Sequence, residues 1–170
     1  MYVSDISYEY LGGAPINCAF SIGNTYYCMG SHKRNKHFYI DDNLNVRVAD
    51  SDCFKPVEKQ IRIVVSTPKD LLSTENRTRR MELCDRWEIT EPTFKDWFET
   101  RPFLLNDAMK GLDKRRVKLE NLPELAQSSG NYLCELACRW GYFNPQSINR
   151  MINDGRRLKL FSDAFNGLLK

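Results

Sequence analysis

The chain has 170 residues, with 25 Lys+Arg against 22 Asp+Glu and 42% hydrophobic residues. That composition excludes a disordered or collagen-like chain, and no stretch approaches the roughly 20 apolar residues of a membrane span. The net charge of +3 is unevenly placed: residues 1–75 carry 8 basic and 9 acidic residues, a net of −1, and residues 76–170 carry 17 and 13, a net of +4.

The opening Met-Tyr-Val-Ser-Asp-Ile lacks the basic region and apolar run of a secretory signal. The expected compartment is therefore cytoplasmic, with Cys18, Cys28, Cys53, Cys84, Cys134 and Cys138 reduced. Their irregular spacing, without a C-x-x-C pair, argues against a disulfide framework.

Runs rich in Tyr, Ile, Val and Phe predict six short strands: Tyr2–Tyr10, Ile16–Ile22, Thr25–Met29, His37–Ile40, Leu44–Val48 and Ile61–Val65. Gly23-Asn24 and Asp41-Asp42-Asn43 supply turn residues between runs. Leu44, Val46 and Val48 alternate with Asn45 and Arg47, which predicts a strand with one buried face. The expected form is an antiparallel meander or small barrel.

Two constellations here could carry chemistry. Cys18, Cys28, His32 and His37 are zinc-ligand types, but nine residues separate the cysteines, outside knuckle spacing. Strand cysteines and loop histidines explain them better, so no cofactor is expected. A Cys28/His37/Asp41 triad can be drawn, yet no motif surrounds it. The run Ser31–His37 reads as a basic hairpin tip.

From Ser73 the apolar period changes from two to about 3.6. Ser73 or Thr74 can cap a helix that carries Arg77, Arg79 and Arg80 on its outer face. Residues 82–97 then fit a helix-turn-helix: Cys84 is the small crossing residue, Trp87 and Ile89 flank the turn, Thr90 caps, and Phe94 and Trp97 anchor the second helix. Pro92 falls in the first turn of that helix, where its missing N–H costs nothing. Glu88 stands where a turn glycine is usual.

Fifty-three residues later the pattern returns: Glu-Leu-x-x-Arg-Trp recurs at 135–140, and Pro145 repeats Pro92. Ala137 takes the crossing position, Gly141 the turn, Asn144 the cap, and Ile148 and Ile152 the inward face. Leu119, Leu122, Leu125 and Ala126 give the linker an apolar stripe, and Leu158, Phe161, Phe165 and Leu168 give one to a final helix. Trp87, Trp97 and Trp140 fall on the buried faces.

Two such units in residues 73–157, after a β-rich segment, resemble the AraC/XylS class of transcription regulators. The local match is Leu136-Ala137-x-x-x-Gly141-Tyr142-x-Asn144-Pro145-x-x-Ile148-x-Arg150, similar to that family's second unit. The resemblance implies a double helix-turn-helix DNA-binding domain; a divergent phage or plasmid protein of this kind fits equally.

Charge separates the two recognition helices. Residues 91–99 carry a net of −2, unfavourable beside phosphates, whereas residues 144–157 carry +2 and offer Gln146, Asn149, Arg150 and Asn153 to base edges. Phosphate contacts are expected from Arg77, Arg79, Arg80, Lys114, Arg115, Arg116, Lys118, Arg156 and Arg157. The second unit is thus the expected base reader.

The expectation is an α+β chain: a small antiparallel β-rich part at 1–70 for dimerisation, partner contact or sensing, then an all-α double helix-turn-helix region at 73–170. The leading function is a sequence-specific transcription regulator, not an enzyme. Its expected partners are double-stranded DNA, RNA polymerase or another protein, and a second copy of the chain, with no membrane. The alternative is a mobile-element or effector-type adaptor or inhibitor that binds another protein through its helical hairpins.

Overall fold

The computed structural model describes residues 6–59, 61, 63, 69–112, 114, 118–142 and 144–169. It is α+β: two three-stranded antiparallel sheets precede seven helices. The chain divides into two compact units, Met1–Val64 and Val65–Lys170.

The first unit contains β1 (Ser7–Tyr10), β2 (Thr25–Tyr26), β3 (Cys28–Lys33), β4 (Lys36–Ile40), β5 (Val46–Asp50) and β6 (Phe54–Val57). One sheet has the order β2-β1-β6 and the other is the meander β3-β4-β5. Tyr10, Tyr26, Tyr39 and Phe54 form the core, with Phe20 packed against them; Tyr39 stacks on Phe54 at 3.8 Å between centroids. Burial pushes the Tyr39 hydroxyl above its ordinary pKa.

Several predicted strands are corrected. Residues 16–22 form a loop because their polar groups are satisfied by side chains instead of a ladder: Ala19 N–H donates to the Asp41 carboxylate and Ser21 N–H to the Tyr26 hydroxyl. Ile61 and Ile63 are not in a strand, and residues 62, 64 and 65 of that run lie outside the described residues. The strand expected at Thr25–Met29 divides between the two sheets as β2 and β3, and β3 runs on to Lys33, so the hairpin expected over Ser31–His37 turns at residues 34–35. β6 is a strand not anticipated; its Pro56 is tolerated because, among the described residues, β6 is an edge paired with β1 alone.

Leu44 is exposed, not buried, because it sits in the left-handed turn (φ 59°) between β4 and β5. Val46 is buried as expected, and so, unexpectedly, is Arg47, whose Nε donates to Asp41 at 3.1 Å. Asp41 also accepts from the N–H groups of Asn43 and Asn45, so one carboxylate organises the hairpin and neutralises the arginine.

The second unit contains α1 (Arg77–Trp87), α2 (Glu91–Thr100), α3 (Pro102–Gly111), α4 (Leu122–Ser128), α5 (Leu133–Arg139), α6 (Pro145–Asn153) and α7 (Leu158–Leu168). Trp87, Trp97 and Trp140 are all buried, as are Phe94, Leu136, Ile148, Phe161 and Phe165. In the linker Leu122 and Ala126 of α4 are buried, with Leu119 and Leu125 against the same core. Leu158, expected on the inner face of α7, is exposed; Leu160 is buried in its place.

At the centre α3 packs antiparallel against α7. Gly111 and Gly167 permit the approach: a Cβ on Gly111 would stand 1.8 Å from the Asp163 carbonyl oxygen, and one on Gly167 would stand 1.9 Å from that of Asp107. Asp107-Ala108-x-x-Gly111-Leu112 in α3 therefore has its counterpart in Asp163-Ala164-x-x-Gly167-Leu168 in α7. The sequence repeat thus covers three helices per copy, α1–α3 and α5–α7, with α4 between them.

The copies hold each other reciprocally. Arg86 of the first donates to Asp163 of the second through Nε (2.6 Å) and Nη2 (2.7 Å), and Trp87 Nε1 adds a third bond at 2.9 Å. Arg139 and Trp140 of the second do the same to Asp107 of the first, at 2.6, 2.8 and 2.9 Å. Contact of i with j matched by j with i is the signature of a twofold interface, here made within one chain.

Candidate nucleic-acid interface

The second hairpin is built from its ends inward. The Glu135 carboxylate accepts from the Tyr132 N–H at 2.8 Å and starts α5. Gly141 (φ 71°) turns the chain in the left-handed region, and a Cβ there would lie 3.1 Å from the Thr100 carbonyl oxygen, a tight contact, so backbone and packing both favour glycine. Asn144 caps α6 by accepting from Ser147 N–H at 3.1 Å.

Ile148 is fully buried, and Met151 and Ile152 pack against the same core. That fixes the rotation of α6. Gln146, Arg150 and Asn153 are exposed and Asn149 is half-buried, so the four predicted base contacts form one outward stripe at i, i+3, i+4 and i+7.

The helix is shorter than the predicted 144–157, because it ends at Asn153 and the chain turns through Gly155 (φ 72°). Arg156 pairs with Asp154 at 2.6 Å on the surface. Arg157 lies over the Trp97 ring, 5.0 Å from its centroid.

The first hairpin repeats the plan. Ser73 accepts from the Asn76 N–H, Asn76 precedes α1, and Thr90 caps α2 by accepting from Thr93 N–H at 3.4 Å. Glu88 occupies the left-handed turn position (φ 56°) that Gly141 takes in the other copy. The repeated prolines differ by one helical position, since Pro92 is the second residue of α2 and Pro145 the first of α6.

Among the expected phosphate contacts, Arg77 and Arg79 are exposed. Arg80 is a correction: only 3% exposed, it donates to Glu91 at 3.0 and 2.7 Å and to the carbonyls of Leu71 and Ser73, so its guanidinium belongs to the interior. Arg80 and Lys95 together hold the Glu91 carboxyl below its ordinary pKa.

Lys114 donates to the carbonyls of Asn166 and Leu169 and so binds the end of α7. Lys118 is exposed, with Glu120 3.9 Å away. Arg115 and Arg116 lie outside the described residues.

The zinc-type set is not gathered: among the described residues no three His, Cys, Asp or Glu lie close enough to hold a metal ion. Burial pushes the Cys28 thiol up, opposite to what a nucleophile needs, and Asp41 is engaged with Arg47. Burial, then Lys33 and Lys36, lower the His32 pKa.

Sequence reasoning passed over Asp107 and Asp163, and the roles of Arg86, Arg139 and Arg101. Arg101 stacks on Tyr142 at 4.1 Å and donates to the Trp140 carbonyl at 3.1 Å, which ties the start of α3 to the turn of the second hairpin. The repeated Asp-Ala-x-x-Gly-Leu was the available signal for the two aspartates. No helix among the described residues is long and apolar enough to cross a membrane. Comparison with protein-family profiles, curated proteins and solved structures finds no match in any of the three.

Proposed function

We propose that the chain is a sequence-specific, double-stranded-DNA-binding transcription regulator, acting in the cytoplasm, that reads base edges with α6. The observation that carries this reading is the outward stripe of Gln146, Asn149, Arg150 and Asn153 on a helix whose opposite face is locked into the core. Gln and Asn pair bidentately with adenine, and Arg pairs with guanine or phosphate. Arg77, Arg79, Lys118 and Arg156 are the exposed cations offered to phosphates. The likeness to AraC/XylS regulators belongs to the same proposal.

The N-terminal unit is assigned to protein contact. Its loop at 11–22 exposes Leu11, Ile16 and Ile22 on a backbone held by the Tyr10 and Tyr26 hydroxyls and by Asp41. Exposed Asp96 and Glu99 on α2 favour a second reading, an adaptor that binds a protein through its helical hairpins.

Titration of binding to random duplex DNA separates the two. A DNA binder loses affinity steeply with salt, with a log–log slope of about −4, as phosphate contacts release counterions. Absence of binding at low salt favours the adaptor.

A further inference from the structure

The twofold relation between the copies assigns each residue of α2 a counterpart in α6. Counting from the caps Thr90 and Asn144, buried Phe94 corresponds to buried Ile148, and Trp97 to Met151. On the outer face Pro92 corresponds to Gln146, Lys95 to Asn149, Asp96 to Arg150 and Glu99 to Asn153.

The scaffold positions agree and the outer charges do not. Asp96 opposes Arg150, and acidic Glu99 opposes an amide. The difference continues onto the preceding helix and its turn, where exposed Glu82, Asp85 and Glu88 correspond to Glu135, buried in the α5 capping box, to Cys138 and to Gly141. Lys95 does not restore the balance: Lys95, Asp96 and Glu99 together still leave the outer face of α2 at a net of −1, against +1 from Arg150 on α6.

A symmetric helix-turn-helix pair reads two half-sites, and its target mirrors the protein's twofold axis. We infer that this chain, if it reads DNA as proposed above, recognises a single, non-palindromic block of base pairs. Only α6 enters the groove, while Asp96 and Glu99 exclude the phosphate backbone from the equivalent α2 face. The internal symmetry is one of scaffold alone. Asp96 and Glu99 are specificity residues by repulsion: each carboxylate placed against phosphate costs binding instead of adding to it.

The test is selection from a random duplex library by the whole chain, followed by hydroxyl-radical footprinting and salt titration of the wild type and the D96R/E99N variant. Both positions are exposed, and among the described residues their side chains are bonded only by the neighbouring Thr100 hydroxyl, which donates to the Asp96 carboxylate, so the variant retains the fold; circular dichroism checks this. The wild type is expected to enrich a sequence without dyad symmetry and to protect one block. The variant is expected to gain a second protected block and a salt slope steeper by about 1.

A palindromic selected site or two protected blocks for the wild type overturns the inference, and so does a variant with unchanged footprint and slope. Failure of both proteins to bind any duplex at low salt overturns the DNA reading itself, and this inference with it.

Discussion

Arg86 and Asp163 stand 77 positions apart and meet in a bidentate pair whose aspartate also accepts from Trp87; Arg139, Trp140 and Asp107 repeat it in the opposite direction. Each copy of the three-helix unit supplies an Arg-Trp donor set and receives the other's, so neither completes its polar core alone. The pairs differ in one respect: the Arg139 side chain is 6% exposed and that of Arg86 is 28% exposed.

That difference sets the cost of breaking each pair. Asp107→Asn strands a buried guanidinium and should destabilise the helical unit by about 3 kcal/mol. Asp163→Asn should cost less, about 2 kcal/mol, because water reaches Arg86. Urea unfolding followed by tryptophan fluorescence measures both, and equal losses would contradict the argument.

Gly111→Ala and Gly167→Ala each place a Cβ within 2 Å of a backbone oxygen on the facing helix, which no rotamer change relieves. Each should cost about 3 kcal/mol or more. Gly130→Ala is the control: its φ of 75° is strained for alanine but nothing lies within 4 Å, and about 1 kcal/mol is expected.

The turn of the first hairpin should be improvable. Glu88→Gly relieves a left-handed residue and should stabilise by about 0.5–1 kcal/mol, whereas Gly141→Ala in the second hairpin should destabilise. Thermal melting reports the two signs directly.

The Glu91 carboxyl is held below its ordinary pKa by Arg80 and Lys95. A carboxyl depressed in the folded state contributes stability that is present above its unfolded pKa, about 4.3. That contribution is lost as pH falls through the folded value. Denaturant unfolding between pH 6 and 3 should show a smaller loss for Glu91→Gln than for the wild type.

For function, Arg150→Ala should abolish selective duplex binding, and Lys95→Ala should leave it nearly unchanged, since Lys95 only pairs with Glu91. Electrophoretic mobility shifts on the selected duplex read the two effects, and the reverse order would contradict α6 as the reader.

The hairpins were legible because caps, turns and prolines act locally: Thr90 and Asn144 cap the helices they precede, and Gly141 makes the left-handed turn after α5. Asn144 marks the start of α6, and Ile148 and Ile152 at i and i+4 mark its inner face, which leaves Gln146, Asn149, Arg150 and Asn153 outward. The central α3–α7 pair was not legible in the same way. Gly111 reads as a linker residue until the helix it faces is known, and the partners of Asp107 lie 32 and 33 residues away. Burial of Arg80 and Arg47 was missed for the same reason, since a charged residue goes inside only where a distant or turn carboxylate meets it. The Ile16–Ile22 run has strand composition but loop structure because Asp41 and Tyr26 capture its N–H groups.

The two halves of the helical unit also act as a two-line alignment written into one molecule. Glu-Leu-x-x-Arg-Trp and Asp-Ala-x-x-Gly-Leu stand in both lines, and their Arg, Trp, Asp and Gly residues are those that cross from one half to the other. Positions that face outward differ, down to opposite charge at Asp96 and Arg150. In a repeat joined in this way, a change to a clamp residue in one line leaves its partner in the other unpaired, whereas a change on either exterior breaks no bond between the lines.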